Sequence, residues 1–176
     1  VPLLFMGEEW GATSPFLFFC DFEGELAEAV REGRRSEFKK FKAFADPAVR
    51  ASIPDPLDLA TFEASRLDWP EAEQGGHAER RRLVQTLLAV RREHIVPGLA
   101  GMAPGAAVAR HGTCGFTVSW QLANGSVLTL QANLGGEPLA GFPALPGRCL
   151  HASPGTDPAA DRRPGWSVAA SIGQRP

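Results

Sequence analysis

Two apolar periods divide this chain, and it must therefore supply both helices and antiparallel strands. The helical period is clearest from His77 to Ile95, where Leu83, Leu87 and Val90, flanked by Val84 and Leu88, form one stripe. Arg80, Arg81, Arg82, Arg91 and Arg92 face away from it as a solvated surface, and Pro97-Gly98 ends the helix. After about residue 103 the period falls to two. Phe116, Val118, Trp120 and Leu122 alternate with Thr117, Ser119 and Gln121; Leu128, Leu130, Ala132 and Leu134 alternate with Thr129, Gln131 and Asn133. Arg148 to His151 and Trp166 to Ile172 add two short strands around a Pro/Gly-rich connection. The predicted fold class is α/β plus all-β, with domains 1–103 and 104–176 meeting near Pro97 to Pro104.

The hairpin register follows from which faces must match. A two-residue Asn124-Gly125 turn sets Trp120 opposite Thr129 and mixes apolar with polar faces. Because a one-residue slip flips every side chain, the expectation is Trp120 opposite Leu130 and Leu122 opposite Leu128, with a three-residue loop Asn124 to Ser126.

The chain opens on Val1-Pro2-Leu3-Leu4-Phe5-Met6-Gly7-Glu8-Glu9-Trp10-Gly11. Leu3 to Met6, bounded by Pro2 and Gly7, reads as a buried strand of a parallel sheet, with two carboxylates and an indole just past its C-terminal end. Such a strand needs neighbours on both sides. None precedes it here, so the expectation is a piece of a larger protein that is poorly stable alone. Next comes an aromatic stretch with Phe16, Phe18, Phe19 and Phe22, which must pack under something or line a cleft. Glu25 to Phe41 is helical in composition, acids early and bases late, with Gly33 favouring two short helices over one. Ala45 to Pro70 is expected to be irregular, with Leu67-Asp68-Trp69-Pro70 anchoring the loop.

Bulk properties exclude several classes. A net charge of −2 over 176 residues argues against a nucleic-acid partner. No apolar run approaches the roughly 20 residues that span a bilayer, so no membrane partner is expected. Cys20, Cys114 and Cys149 are too far apart for a metal motif or a disulfide framework and read as free thiols of a cytoplasmic protein.

The candidate binding residues are Glu8, Glu9, Trp10, Phe19 and Asp21. Adjacent residues on an extended segment point to opposite sides, so at most one of Glu8 and Glu9 faces a given pocket. Two such neighbours cannot straddle a glycosidic bond. The choice for each is a ligand-orienting carboxylate or one that holds loop backbone. Trp10 and Phe19 offer flat faces to a sugar, and Asp21 a hydroxyl-binding carboxylate; Phe16, Phe18 and Phe22 read as loop packing. His77, His94, His111 and His151 are scattered and read as capping, surface or core residues. Asp46, Asp55, Asp58 and Asp68 read as turn formers.

In combination, PLLFMGEEWG, FFCDF, AEAVREGRRSEF and FEASRLDW, in that order, resemble the malto-oligosyltrehalose trehalohydrolases of the α-amylase superfamily. The resemblance runs through about residue 100. It implies that Leu3 to Met6 is the last strand of a (β/α)8 barrel, that the helices near 25–41 and 77–95 close the barrel, and that an antiparallel β C-terminal domain follows from about 104. The family cleaves the α-1,4 bond next to the trehalose end of maltooligosyl trehalose by a retaining mechanism with two carboxylates and no metal or cofactor. Its catalytic carboxylates follow strands 4, 5 and 7, upstream of Val1, so no residue here is assigned a catalytic role and the chain alone is expected to be inactive. The implied partners are the α-glucan substrate and the N-terminal barrel of the same polypeptide. Phe22 stands where the family usually has His, and the β domain matches mainly in strand pattern and in Pro164-Gly165-Trp166-Ser167-Val168. A branching or debranching enzyme, or a non-catalytic glucan-supporting β module, are the alternatives.

Overall fold

The computed structural model describes residues 2–38 and 53–174. The expected helix beyond residue 38, the 45–52 part of the expected irregular stretch and the turn role of Asp46 lie outside these residues. The chain forms two compact units, 1–82 and 83–176.

In the first unit the expected strand at Leu3 to Met6 does not form: the segment is irregular, and Leu3 is 94% exposed. A strand exists only through a partner's N–H and C=O groups, and Phe5 spends its own on a turn, its N–H on the Glu8 carboxylate (3.0 Å) and its carbonyl on the Glu8 N–H (2.9 Å). Helix α1 spans Gly24–Phe38 without a break at Gly33, so it is one helix rather than two. Arg31 ties it to the next segment through Asp55 (2.9 Å) while also holding Glu28. The stretch expected to be irregular contains helix α2, Leu59–Ala64, capped by Asp58, whose side chain accepts from the Ala60 N–H (2.9 Å). A 3-10 turn follows at Trp69–Glu73.

Helix α3 runs Gly75–Val90, passes into a π-helical turn at Arg91–Ile95 and ends in a 3-10 turn at Val96–Gly98. The apolar stripe is only half-buried; no residue of α3 is fully enclosed.

The second unit is antiparallel β. Its strands are β1 (Ala107–His111), β2 (Gly115–Gln121), β3 (Ser126–Asn133), β4 (Leu139–Ala140), β5 (Arg148–Ala152), β6 (Arg162–Arg163) and β7 (Ser167–Gln174). Five of them form one sheet in the order β1-β2-β3-β7-β5, and β4 pairs β6 in a second, two-stranded sheet.

The β2–β3 register differs from the expected one. Trp120 pairs with Leu128 and Val118 with Leu130. Faces still match, and the loop still has three residues, but they are Ala123 to Gly125: the Leu122 N–H reaches the Ser126 carbonyl (2.8 Å) and the Gly125 N–H reaches the Leu122 carbonyl (3.1 Å). The last residue of such a loop takes a left-handed conformation, which Gly125 (φ 82°) adopts freely and Ser126 would not.

Burial is also distributed differently. The apolar face carrying Val118, Trp120, Leu128 and Leu130 is half-buried, whereas Thr129, Gln131, Asn133, Ser167 and Ser171 on the opposite face are enclosed. That polar face lies beneath the segment from 139 to 163. Arg163 is wholly buried and donates from Nε to the Gln131 Oε1 (3.0 Å), with a second contact from its other terminal nitrogen. It also serves the carbonyls of Asp157 (2.9 Å), Pro158 (3.2 Å), Ala160 (2.8 Å) and Arg162 (3.1 Å) and lies over the Phe142 ring, 5.4 Å from the centroid. Gln131 Nε2 completes the seam at the Pro143 carbonyl (2.8 Å).

Candidate functional site

The local geometry of the opening residues comes from two glycines. Gly7 (φ 84°) and Gly11 (φ 70°) let the chain double back, closed by the Ala12 N–H on the Gly7 carbonyl (2.8 Å) and the Gly11 N–H on the Glu8 carbonyl (3.1 Å). Glu8 and Glu9 therefore sit in a tight turn, not on an extended segment, and the argument from strand alternation does not apply to them. Glu8 is exposed and holds the Phe5 backbone; Glu9 is half-buried.

Trp10 is 2% exposed and packs against Trp69 at a tilt of 43°, with centroids 5.2 Å apart. It presents no free face to a sugar; Trp69, 67% exposed, is the indole that does. Trp69 is thus a partner of Trp10 with one side in solvent, as well as the loop anchor expected. Beneath the pair lies a polar knot that sequence reasoning missed. Glu71 accepts from the Thr13 hydroxyl (2.7 Å) and amide (3.1 Å) and faces His77 Nε2 (3.5 Å), while His77 Nδ1 meets the Trp10 carbonyl (2.9 Å). The Thr13 hydroxyl first, then its amide, hold the Glu71 carboxyl below its usual 4.5; burial opposes them and His77 assists. The partners are 58 and 67 residues apart in sequence, so no local pattern announces them.

Two clefts involve the predicted residues, the first of them beside this turn. One, of about 400 Å³, is lined by Phe5, Glu8, Phe16, Leu67 and Arg80 among others. Arg80 is exposed, as expected of a solvated face, and also donates to the Glu8 carbonyl (3.0 Å) and lies over Gly11. The other, of about 510 Å³, is lined by Phe19, Cys20, Asp21, Leu57, Asp58 and Phe62. Phe19 and Phe62 meet edge to face there, 5.2 Å between centroids. The structure thus brings Phe19 and Asp21 together and places Glu8 in a different cleft. Phe16, Phe18 and Phe22 do not fill a core: they are 58%, 44% and 45% exposed, and Phe16 lines the first of these clefts.

Aromatic walls with isolated carboxylates suit polyhydroxylated ligands, whose C–H faces stack and whose hydroxyls need acceptors. No group of three or more metal-ligating side chains converges among the described residues. No helix among them is long and apolar enough to cross a membrane.

A profile described as a domain of unknown function (DUF3459) matches residues 104–170. The chain is 49% identical over 92 residues to the malto-oligosyltrehalose trehalohydrolase of Deinococcus radiodurans, covering 52% of this chain and 15% of that protein. It is 49% identical over 102 residues to the enzyme of that name from Brevibacterium helvolum, covering 57% of this chain and 16% of the relative. A crystal structure of a candidate alpha amylase from Salmonella typhimurium superposes with TM-score 0.85 at 34% identity, over 99% of this chain and 28% of that one. The chain is thus similar to part of an alpha-amylase-like structure and to part of enzymes named for glycoside hydrolysis. More narrowly, it is similar to the malto-oligosyltrehalose trehalohydrolases, and the matched stretch is about one sixth of their length.

Proposed function

We propose that this chain is the C-terminal part of a retaining glycoside hydrolase that cleaves the α-1,4 bond next to the trehalose end of maltooligosyl trehalose and releases trehalose. The observation that carries the reading is the 49% identity to relatives of that name in separate bacteria. In this reading residues 1–103 end a (β/α)8 barrel and 104–176 form its β C-terminal domain. The exposed apolar segment 3–6 then pairs with barrel strands elsewhere in the polypeptide.

Retention requires a nucleophilic carboxylate and an acid/base carboxylate about 5 Å apart across the scissile bond. This chain supplies neither; it supplies wall. Phe19 presents a ring edge and Asp21 a carboxylate acceptor in one cleft, Glu8 and Glu9 form the turn beside the other, and Trp10 props Trp69. Binding energy from such groups orients the glucan for chemistry done elsewhere. The test is trehalose release from maltooligosyl trehalose by the full-length protein. Formation of α-1,6 branches from linear glucan instead would favour a branching enzyme.

A further inference from the structure

Trp166 is the most exposed aromatic side chain of the β unit among the described residues, at 73%, and the single non-glycine among them with positive φ (54°). A bulky residue seldom adopts that conformation, and where one does, the surrounding structure must enforce it. Here the enforcement is visible. The Trp166 N–H donates to the Gly135 carbonyl (2.9 Å). Gly165 lies so close to the Gly136 carbonyl that no side chain fits between them. Asn133, 1% exposed, donates from Nδ2 to the carbonyls of Glu137 (2.8 Å), Pro164 (2.9 Å) and Arg163 (3.3 Å), while its Oδ1 accepts from the Gly135 N–H (3.1 Å). Ser167, also buried, donates to the Pro164 carbonyl (2.7 Å). Two buried polar side chains thus lock the turn, and the product of that locking is an indole held out in water with its Nε1 edge beside Gly136.

Within these residues the strained, rigidly braced indole packs little of its face, although burial would have stabilised it far more. Its chemistry is that of a stacking platform: a flat apolar face for the C–H side of a sugar ring, with a polar N–H at its rim and the exposed Glu137 carboxylate following Gly136. Rigid presentation matters because a prepaid conformation costs the complex nothing on binding.

We propose that Trp166 is the centre of a glucan-binding site on the β unit that holds an α-1,4-glucan chain by stacking. The choice of ligand rests on the function proposed above; the presence of a platform rests on the turn alone. The test is electrophoretic retardation of the full-length protein in native gels containing soluble amylopectin, which yields an apparent dissociation constant. Trp166→Ala is expected to weaken retardation about tenfold, and Trp166→Phe to keep most of it. Trp166→Gly suits the left-handed turn better than the native residue, so it should fold at least as well and still lose binding. Apparent constants for Trp166→Ala and Trp166→Gly within about twofold of the parent overturn the proposal, as does a parent that amylopectin does not retard. Self-association that disappears in Trp166→Gly, with retardation unaltered, also overturns it in favour of a contact between copies. Trehalose release, assayed on the parent protein alone, separates the two ideas: Trp166-dependent retardation without trehalose release defeats the assigned reaction and leaves the platform standing.

Discussion

Removing the Arg163 guanidinium should unfold the β unit under conditions where the parent is stable. The group is wholly buried, binds Gln131 and the carbonyls of Asp157, Pro158, Ala160 and Arg162, and so joins the second layer to the main sheet. Burial pushes its ionisation down while the Asp157 and Asp161 carboxylates push it back up, and its charge is spread over carbonyl dipoles rather than met by a carboxylate at contact distance. In Arg163→Ala the Gln131 oxygen and several carbonyls lose their donor inside the protein, and a cavity opens beside Phe142. Charged hydrogen bonds are worth about 1.5–3 kcal/mol each but are not additive, and each buried acceptor left without a donor costs about 1–3 kcal/mol. The expected loss is therefore about 4 kcal/mol, which lowers Tm by roughly 15–30 °C for a unit of this size. Arg163→Met fills the space but still strands the carbonyls, and should lie between the two. The assay is urea unfolding with hydrogen exchange read at the amides of β3 and β7. An Arg163→Ala variant within about 1 kcal/mol of the parent would refute the reasoning, because the carbonyls would then have another source of donors.

Further outcomes are expected. Because Thr13 holds the Glu71 carboxyl below 4.5, the stability it contributes is full above that pH and is lost as pH falls through the lowered folded value; Glu71→Gln should flatten that acid limb in a pH titration of thermal melting. Gly147 (φ 74°) leaves no room for a side chain against Ile172 and Gly173, so Gly147→Ala should be more damaging than Gly125→Ala (φ 82°, open space), for which about 1 kcal/mol is expected; paired chemical-denaturation curves check the order. The 176-residue chain should release no trehalose by itself, measured against the full-length protein at equal concentration.

Much of the architecture was readable where one local rule governs it. The stripe of Leu83, Leu87 and Val90 located α3, and the period of two located β2 and β3. Their register was not readable from hydrophobicity, since pairings two residues apart give the same faces; the left-handed Gly125 decided between them. Nor could alternation reveal that Gln131 and Asn133 lie on the deeper face. Their partners, Arg163 and Pro143 for one and Glu137 and Pro164 for the other, come from a segment without a periodic signal. The candidate site was legible residue by residue but not as an assembly. Phe19 and Asp21 share a cleft because α2 brings Phe62 to it, and Glu8 is turned away by glycines that the strand reading treated as an end marker.

The most direct test of the central claim is the product released when the full-length protein acts on purified maltooligosyl trehalose. Trehalose together with the shortened maltooligosaccharide is the predicted result. Intact substrate, or branched glucan formed from linear chains without free trehalose, would contradict it.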